Sequence, residues 1–343
     1  MKAIVQERYG SATDVLELKE VGKPTIKAGE VLVRVHAASI HAGDCFIMQG
    51  LPKMMRPVFG LRRPKEPIPG MDVAGTVEVV GADVTKLQPG DEVFGWCKGA
   101  FAEYVPVAEE ALAIKPADLT FEQASAIGVS AFTALQGLRD KLEIQPGQKV
   151  LITGASGGVG TFAVQIAKSL GAEVTGVCST RNVDMVRAIG AADVIDYTKE
   201  DFTEVEPVFD AIFDNVGKRS FADTRRPLVA SGTLLSNGAP VSGWFGGLGH
   251  VIKALVQSIY VRQQAAPWVS MQNSDDLATL KDLAEAGEIT PVIDKVYPLD
   301  DGADAMAHVS GGHTQGKTVI TIVGGVGSSA EKEAESEAVQ DGR

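Results

Sequence analysis

The stretch VLITGASGGVG, residues 150–160, opens as a short apolar run of strand type, passes through glycines at 154, 157, 158 and 160, and continues as a helix. Glycine permits a tight turn and lets another group come close to the backbone. A helix that starts at such a turn aims its free N–H groups, and the positive end of its dipole, at whatever lies in front of it, which is the arrangement that holds phosphate. Gly154, Gly157 and Gly160 fall three apart instead of following the G-x-G-x-x-G pattern. At the head of a strand–turn–helix unit the turn reads as a dinucleotide diphosphate site, with simple strand-to-helix packing as the plainer alternative.

Outward from the turn, the helix puts Val159, Phe162, Ala163, Ile166, Ala167 and Leu170 on one face, the stripe that packs against a sheet. EVTGVC, NVDMVRAIGA, DVIDY, FDAIFDNVG, RSFADTRRPLV and GTLLSNG then alternate strand with helix. Repeated units of this length predict a doubly wound parallel sheet over 125–265. About 20 residues after such a turn, an NAD enzyme carries Asp or Glu on the ribose hydroxyls. Ser179, Thr180 and Arg181 stand there instead. Hydroxyls and a guanidinium bind a 2′-phosphate through charge-assisted hydrogen bonds, so NADPH is the expected cofactor. The alternative is that these residues cap the next helix.

Upstream, the short runs EVLVRVHAA, VAGTVEVVG, DEVFGW and FAEYVPV, punctuated by Gly, Pro and Asp, predict an irregular β-barrel over 1–124. Thr120 reads as the N-cap of a helical stretch, and Ser274 as the cap of the amphipathic helix SDDLATLKDLAEAGEI. GKTVITIV is a late strand that would return to the barrel, so that 266–324 completes the first domain. QGLPKMMRPVFGLRRPKEPIPG is Pro-rich and basic. It is either a solvated loop or a lid offering Met54, Met55, Val58 and Phe59 to a cleft. The segment at 241–264 has no readable substrate code, and the tail over 325–343 reads as disordered and acidic.

With 343 residues the chain suits two domains. Its net charge of -12 argues against a nucleic-acid partner. Cys45, Cys97 and Cys178 are widely spaced, which excludes a disulfide framework and the usual structural zinc lobes. No apolar signal core or run of about 18 apolar residues is present, so the expectation is a cytoplasmic protein with no integral membrane segment.

Taken together, VLVRVHAASIHAGD, PIPGMDVAGTVEVVGADVTKLQPGDEVFG, GAFAEYV, AIGVSAFTAL, GQKVLITGASGGVGTFAVQIAKSLGA and VIDYTKEDF resemble the medium-chain dehydrogenase/reductase superfamily over residues 1–324. Within it they resemble the zinc-independent, quinone oxidoreductase-like reductases. A short-chain dehydrogenase shares a similar turn, but none of the five tyrosines here has Lys four residues later. The resemblance implies an α/β protein: a GroES-like β-barrel catalytic domain plus a Rossmann doubly wound parallel-sheet cofactor domain, with the reaction in the cleft between them.

The zinc positions of the superfamily's alcohol dehydrogenases hold His41, Met71 with Asp72, and Ala126 here. One reasonable ligand of the three remains, and a catalytic zinc normally takes three, so no metal is expected. Without zinc the accessible chemistry is hydride delivery from NADPH to a quinone or an α,β-unsaturated carbonyl. HAGDCF replaces the branch's N-x-x-D-x-Y, so His41 and Asp44 are the candidate catalytic pair, with His41 donating to a carbonyl oxygen and Asp44 bracing the turn. The resemblance further places Ser130 near the nicotinamide and Ser156, Gly157, Gly158, Val159 and Gly160 on the diphosphate. Ser179, Arg181 and Tyr197 take the adenosine phosphate side. Asn215, Val216 and Gly217 end one strand, Asn237 and Gly238 the next, and Gly316 and Lys317 close the site. The partner is a small-molecule substrate, and a homodimer stays open. An alcohol dehydrogenase and a non-catalytic NADPH-binding protein are the alternative readings.

Overall fold

The computed structural model describes residues 1–238, 264–266 and 270–322. The segment at 241–263 and the acidic tail at 325–343 lie outside the described residues.

Strands β8 (Lys149–Thr153), β9 (Glu173–Cys178), β10 (Asp193–Asp196), β11 (Phe209–Asp214), β12 (Leu228–Ser236) and β13 (Gln264–Ala266) form one parallel sheet in the order β10-β9-β8-β11-β12-β13. The order reverses direction between β8 and β11, so a crevice opens at their carboxyl ends, where doubly wound sheets bind ligands. Thr153 and Asp214 are register partners at that point. The helix Gly158–Ser169 buries Phe162, Ala163, Val164, Ile166 and Ala167 completely, because it is covered by the sheet on one side and by the helix Gly128–Gln136 on another. Burying the Phe162 side chain alone contributes roughly 1.5–3 kcal/mol.

The remaining strands build a second, mostly antiparallel sheet. Its order is β14-β15-β3-β4-β5-β7, with β6 (Tyr104–Ala108) also paired to β3. Here β3 is Glu30–Ile40, β4 Asp72–Val80, β5 Glu92–Trp96, β7 Leu112–Ile114, β14 Ile293–Pro298 and β15 Lys317–Thr321. The β3–β4 ladder shifts register twice, at Leu32/Val33 and Val35/Ala37, and such bulges bend a strand and deepen its twist toward closure. The late strand β15 pairs antiparallel with β3, Thr318 opposite Ile40. That pairing carries Lys317 from the end of the chain to the junction between the sheets. A separate hairpin of β1 (Lys2–Gln6) and β2 (Leu16–Glu20) packs at the side.

Two details differ from the sequence expectations. Asn273, not Ser274, caps the late helix, its Oδ1 accepting from the Asp276 N–H at 2.8 Å. That helix, Ser274–Glu285, packs on Gly128–Gln136 and puts Leu277, Leu280 and Ala284 into the core that covers the parallel sheet. The same helix packs equally on β7 of the barrel, so the segment assigned to completing the barrel lies against both units before it joins the barrel sheet at Ile293. Thr120 does cap its helix, accepting from the Gln123 N–H while the Gln123 side chain accepts from the Thr120 N–H. Among the described residues no helix is long and apolar enough to cross a membrane.

Candidate active site

The glycine turn is built as its sequence requires. Gly154 takes a φ of +62°, a left-handed conformation that favours glycine. A Cβ on Gly160 would lie 2.0 Å from the Gly154 carbonyl oxygen, so the first helical turn sits directly on the loop. Gly157 caps the helix without a side chain, and the N–H groups of Gly158, Val159 and Gly160 have no acceptor among the described residues. Three free donors at the head of a 12-residue helix form an anion cradle. Open space in front of Gly157, where an added Cβ meets only the Gly154 oxygen at 3.3 Å, leaves room for a diphosphate.

Ser156 does something its sequence position does not reveal. Its carbonyl accepts from the Gly316 N–H at 2.8 Å, and its hydroxyl accepts from the Asn182 side-chain amide at 2.8 Å. Asn182 is a buried brace between the phosphate turn and the end of β9. Asp214 is a second such residue. Its carboxylate accepts from the Thr153 hydroxyl at 2.6 Å and from the N–H groups of Val216 and Gly217, and its carbonyl from Asn237 and Gly238. Asn237 in turn donates to the Asn215 side chain at 2.9 Å. A Cβ on Gly238 would stand 2.5 Å from the Val216 carbonyl carbon. Asn215, Val216, Gly217, Asn237 and Gly238 thus form one crevice wall, set by Asp214 and Thr153.

The adenosine side departs from expectation at Thr180. Its hydroxyl donates to Asp196 at 2.6 Å and contacts the Thr198 hydroxyl at 2.9 Å, so it is not a free phosphate donor. Asp196 ends β10 beside Cys178 of β9, placing a carboxylate one strand away from where an NAD enzyme carries it. Hydrogen bonds from Thr180 and Thr198, together with Lys199 at 3.1 Å, hold its carboxyl well below the usual range. Arg181 is exposed and donates to the His313 carbonyl at 2.6 Å. Tyr197 is 59% exposed.

Lys317 is also used differently. Only 1% exposed, its ammonium lies 3.2 Å from Asp72 and 3.2 Å from the Ser130 hydroxyl. Asp72 is fully buried and accepts as well from the Ser39 hydroxyl at 2.8 Å and the Val129 N–H at 2.8 Å. The ammonium therefore completes a polar knot between the two sheets and does not reach out as a phosphate ligand. Its stem still flanks the cradle, since a Cβ on Gly158 would lie 3.4 Å from both Lys317 Cδ and Ser130 Oγ. With Ser130 accepting from Lys317, its own O–H remains to donate.

His41 and Asp44 lie at the start of the helix Ala42–Gln49. The Asp44 carboxylate accepts from the His41 backbone N–H at 3.0 Å and stands 3.5 Å from His41 Nε2. That nitrogen is buried and has no hydrogen-bond partner. Burial pushes the Asp44 carboxyl above its ordinary value, with the neighbouring Asp72 adding to the push and His41 and Lys317 opposing it. Only 3% exposed and bound to the His41 backbone, Asp44 braces the start of the helix. Asp72 is occupied by its three partners, Ser39, Val129 and Lys317, and Ala126 is fully buried. Among the described residues no three His, Cys, Asp or Glu side chains are placed to hold a metal ion.

Comparison with known proteins agrees with this architecture. Residues 27–117 match the alcohol dehydrogenase GroES-like domain family, and residues 189–320 a family described as zinc-binding dehydrogenase. The chain is 34% identical to the mitochondrial NAD(P)H oxidoreductase RTN4IP1 of Mus musculus, covering 94% of this chain and 89% of that protein. It is 32% identical to the chloroplastic NADPH-dependent alkenal/one oxidoreductase of Arabidopsis thaliana, covering 93% and 79%. The quinone oxidoreductase structure from Coxiella burnetii superposes with a TM-score of 0.81 at 29% identity, covering 94% and 99%.

Proposed function

The chain belongs to the zinc-independent, quinone oxidoreductase-like branch of the medium-chain dehydrogenase/reductase superfamily and is a nicotinamide-dependent oxidoreductase; from that premise we propose that it transfers hydride from NADPH to quinones or α,β-unsaturated carbonyl compounds. The observation that carries the proposal is the pairing of an open anion cradle at Gly158–Gly160 with His41, whose buried ring nitrogen lacks a partner. An unpaired buried polar atom is costly, and a substrate oxygen is a natural partner for it.

Bound NADPH supplies the hydride; the chain's own residues hold and aim the reactants. The N–H groups of Gly158, Val159 and Gly160 receive the diphosphate, and Ser130, kept in place by Lys317, offers its O–H to the nicotinamide side. Ser179 and Arg181 receive the 2′-phosphate, Thr198 and Lys199 having neutralised the nearby Asp196. His41 donates a hydrogen bond to the acceptor oxygen, where negative charge grows as hydride reaches the quinone or the β-carbon. Positioning and a single preorganised donor suffice for such a reaction. The names of the Arabidopsis and Coxiella relatives, an alkenal/one and a quinone oxidoreductase, support both acceptor classes.

The test is oxidation of NADPH against NADH over a panel of quinones, enones and aldehydes, with metal analysis and chelator controls. Preference for NADPH with quinone or enone turnover, unchanged by chelator, is the expected outcome. Stoichiometric zinc with alcohol-driven NADP reduction would establish the alcohol dehydrogenase reading instead. Tight NADPH binding with no consumption across the panel would leave a binding protein.

A further inference from the structure

Residues 53–65, KMMRPVFGLRRPK, hold five of the chain's 32 Lys and Arg and none of its 44 Asp and Glu. The fold turns one of the five inward. Arg56 lies over the Tyr9 ring at 4.7 Å and donates to the Gly50 carbonyl at 3.1 Å. The other four, Lys53, Arg62, Arg63 and Lys65, are exposed and form no ion pair with any described residue. Between them stand Met54, Val58 and Leu61, which are 39%, 57% and 70% exposed.

The segment is held in this shape by its own backbone. The Tyr9 hydroxyl donates to the Gly60 carbonyl at 2.6 Å, and the Lys65 N–H to the Phe59 carbonyl at 2.7 Å. Gly60 has a φ of +129°, and a Cβ there would lie 1.9 Å from the Arg63 carbonyl oxygen. The cations and apolar side chains are therefore presented on a preformed, folded-back loop.

We infer that this face docks reversibly on an anionic lipid surface. The four free cations meet lipid headgroups, and Met54, Val58 and Leu61 enter the boundary between headgroups and acyl chains. A headgroup boundary accepts both components of such a patch. Nucleic acid or an acidic protein surface would satisfy the cations and leave the aliphatic side chains in water. The net charge of -12 makes the rest of the chain repel an anionic surface, so the basic loop dictates the orientation of approach. This inference does not depend on which acceptor is reduced.

Co-sedimentation of the full chain with phosphatidylcholine vesicles, with and without phosphatidylserine, tests it. Binding should need phosphatidylserine and fade with added salt. Each cation removed should weaken partitioning about fivefold, so R62A/R63A/K65A should lose roughly a hundredfold. M54S/V58S/L61S should weaken vesicle binding while leaving retention on heparin unchanged, since heparin offers charge without an apolar phase. Both variants should keep wild-type melting, and R62A/R63A/K65A should also keep wild-type turnover of a soluble acceptor. Absence of binding to anionic vesicles, equal binding to neutral ones, or vesicle binding indifferent to the apolar substitutions would overturn the inference, the last in favour of a polyanionic partner.

Discussion

In the proposed function Arg181 is the residue on which nucleotide choice turns, an exposed guanidinium tethered to the His313 carbonyl. Arg181→Ala should raise the KM for NADPH about tenfold, the value of one charge-assisted hydrogen bond, and leave the KM for NADH nearly unchanged. Equal effects on both nucleotides would remove Arg181 from the 2′-phosphate site. At His41, substitution by Ala should lower kcat about a hundredfold with little change in nucleotide affinity, as expected for loss of a donor used in the reaction. Unchanged turnover would show the ring to be structural. Both residues were legible in the sequence as residue types at strand and helix starts. Thr180 and Lys317 were legible too, but with the wrong partners. Asp196 and Asp72 come from other parts of the chain, and a pattern along the sequence carries no record of which long-range acceptor a side chain meets.

The strand–turn–helix unit at 149–169 is the element most legible locally, since Gly157 and Gly160 meet only the turn itself, although Gly154 and Gly158 also abut Val216, Lys317 and Ser130. Gly160→Ala places a Cβ 2.0 Å from the Gly154 oxygen and must displace the turn. Nucleotide fluorescence titration should show NADPH affinity falling more than tenfold, with a smaller loss of stability. The crevice wall at Asn215–Gly217 and Asn237–Gly238 is a different matter. Glycines and asparagines just past strand ends flagged the positions, whereas the organising Asp214 and Thr153 are the last residues of their strands and look like ordinary strand residues. Asn182 carries no sequence signal of its own either. Their common signal is a short polar side chain at or near the carboxyl end of a parallel strand, where the sheet leaves backbone groups to be organised.

At the scale of the molecule, the two sheets are joined by buried polar knots as well as by apolar packing. Removing one partner of a buried pair leaves an uncompensated charge at a cost of about 3–5 kcal/mol. Asp72→Asn and Lys317→Met should each destabilise the chain to that extent in denaturant titrations, and the double substitution by much less than the sum. A second knot ties the late helix down. Burial alone would raise the Asp276 carboxyl, but donors on Gln136, Asn273 and Arg139 outweigh it and hold the group below its ordinary value. A depressed carboxyl stabilises above its unfolded pKa of about 3.9, and that contribution is lost as pH falls through the lower, folded value. Asp276→Asn should therefore lower Tm at pH 7 and flatten the decline in Tm below about pH 4. An unchanged acid limb would show that Asp276 does not set it. The sequence by itself determined the glycine turn, the alternating parallel unit, the residue types at the zinc positions and the basic composition of the 53–65 loop. Each depends on residue type, short spacing or periodicity. Tertiary structure alone decided that Lys317 faces Asp72 and Ser130, that Thr180 faces Asp196, and that His41 Nε2 is left without a partner. Those outcomes depend on how distant strands come into register, β15 pairing with β3 across the whole intervening parallel-sheet unit.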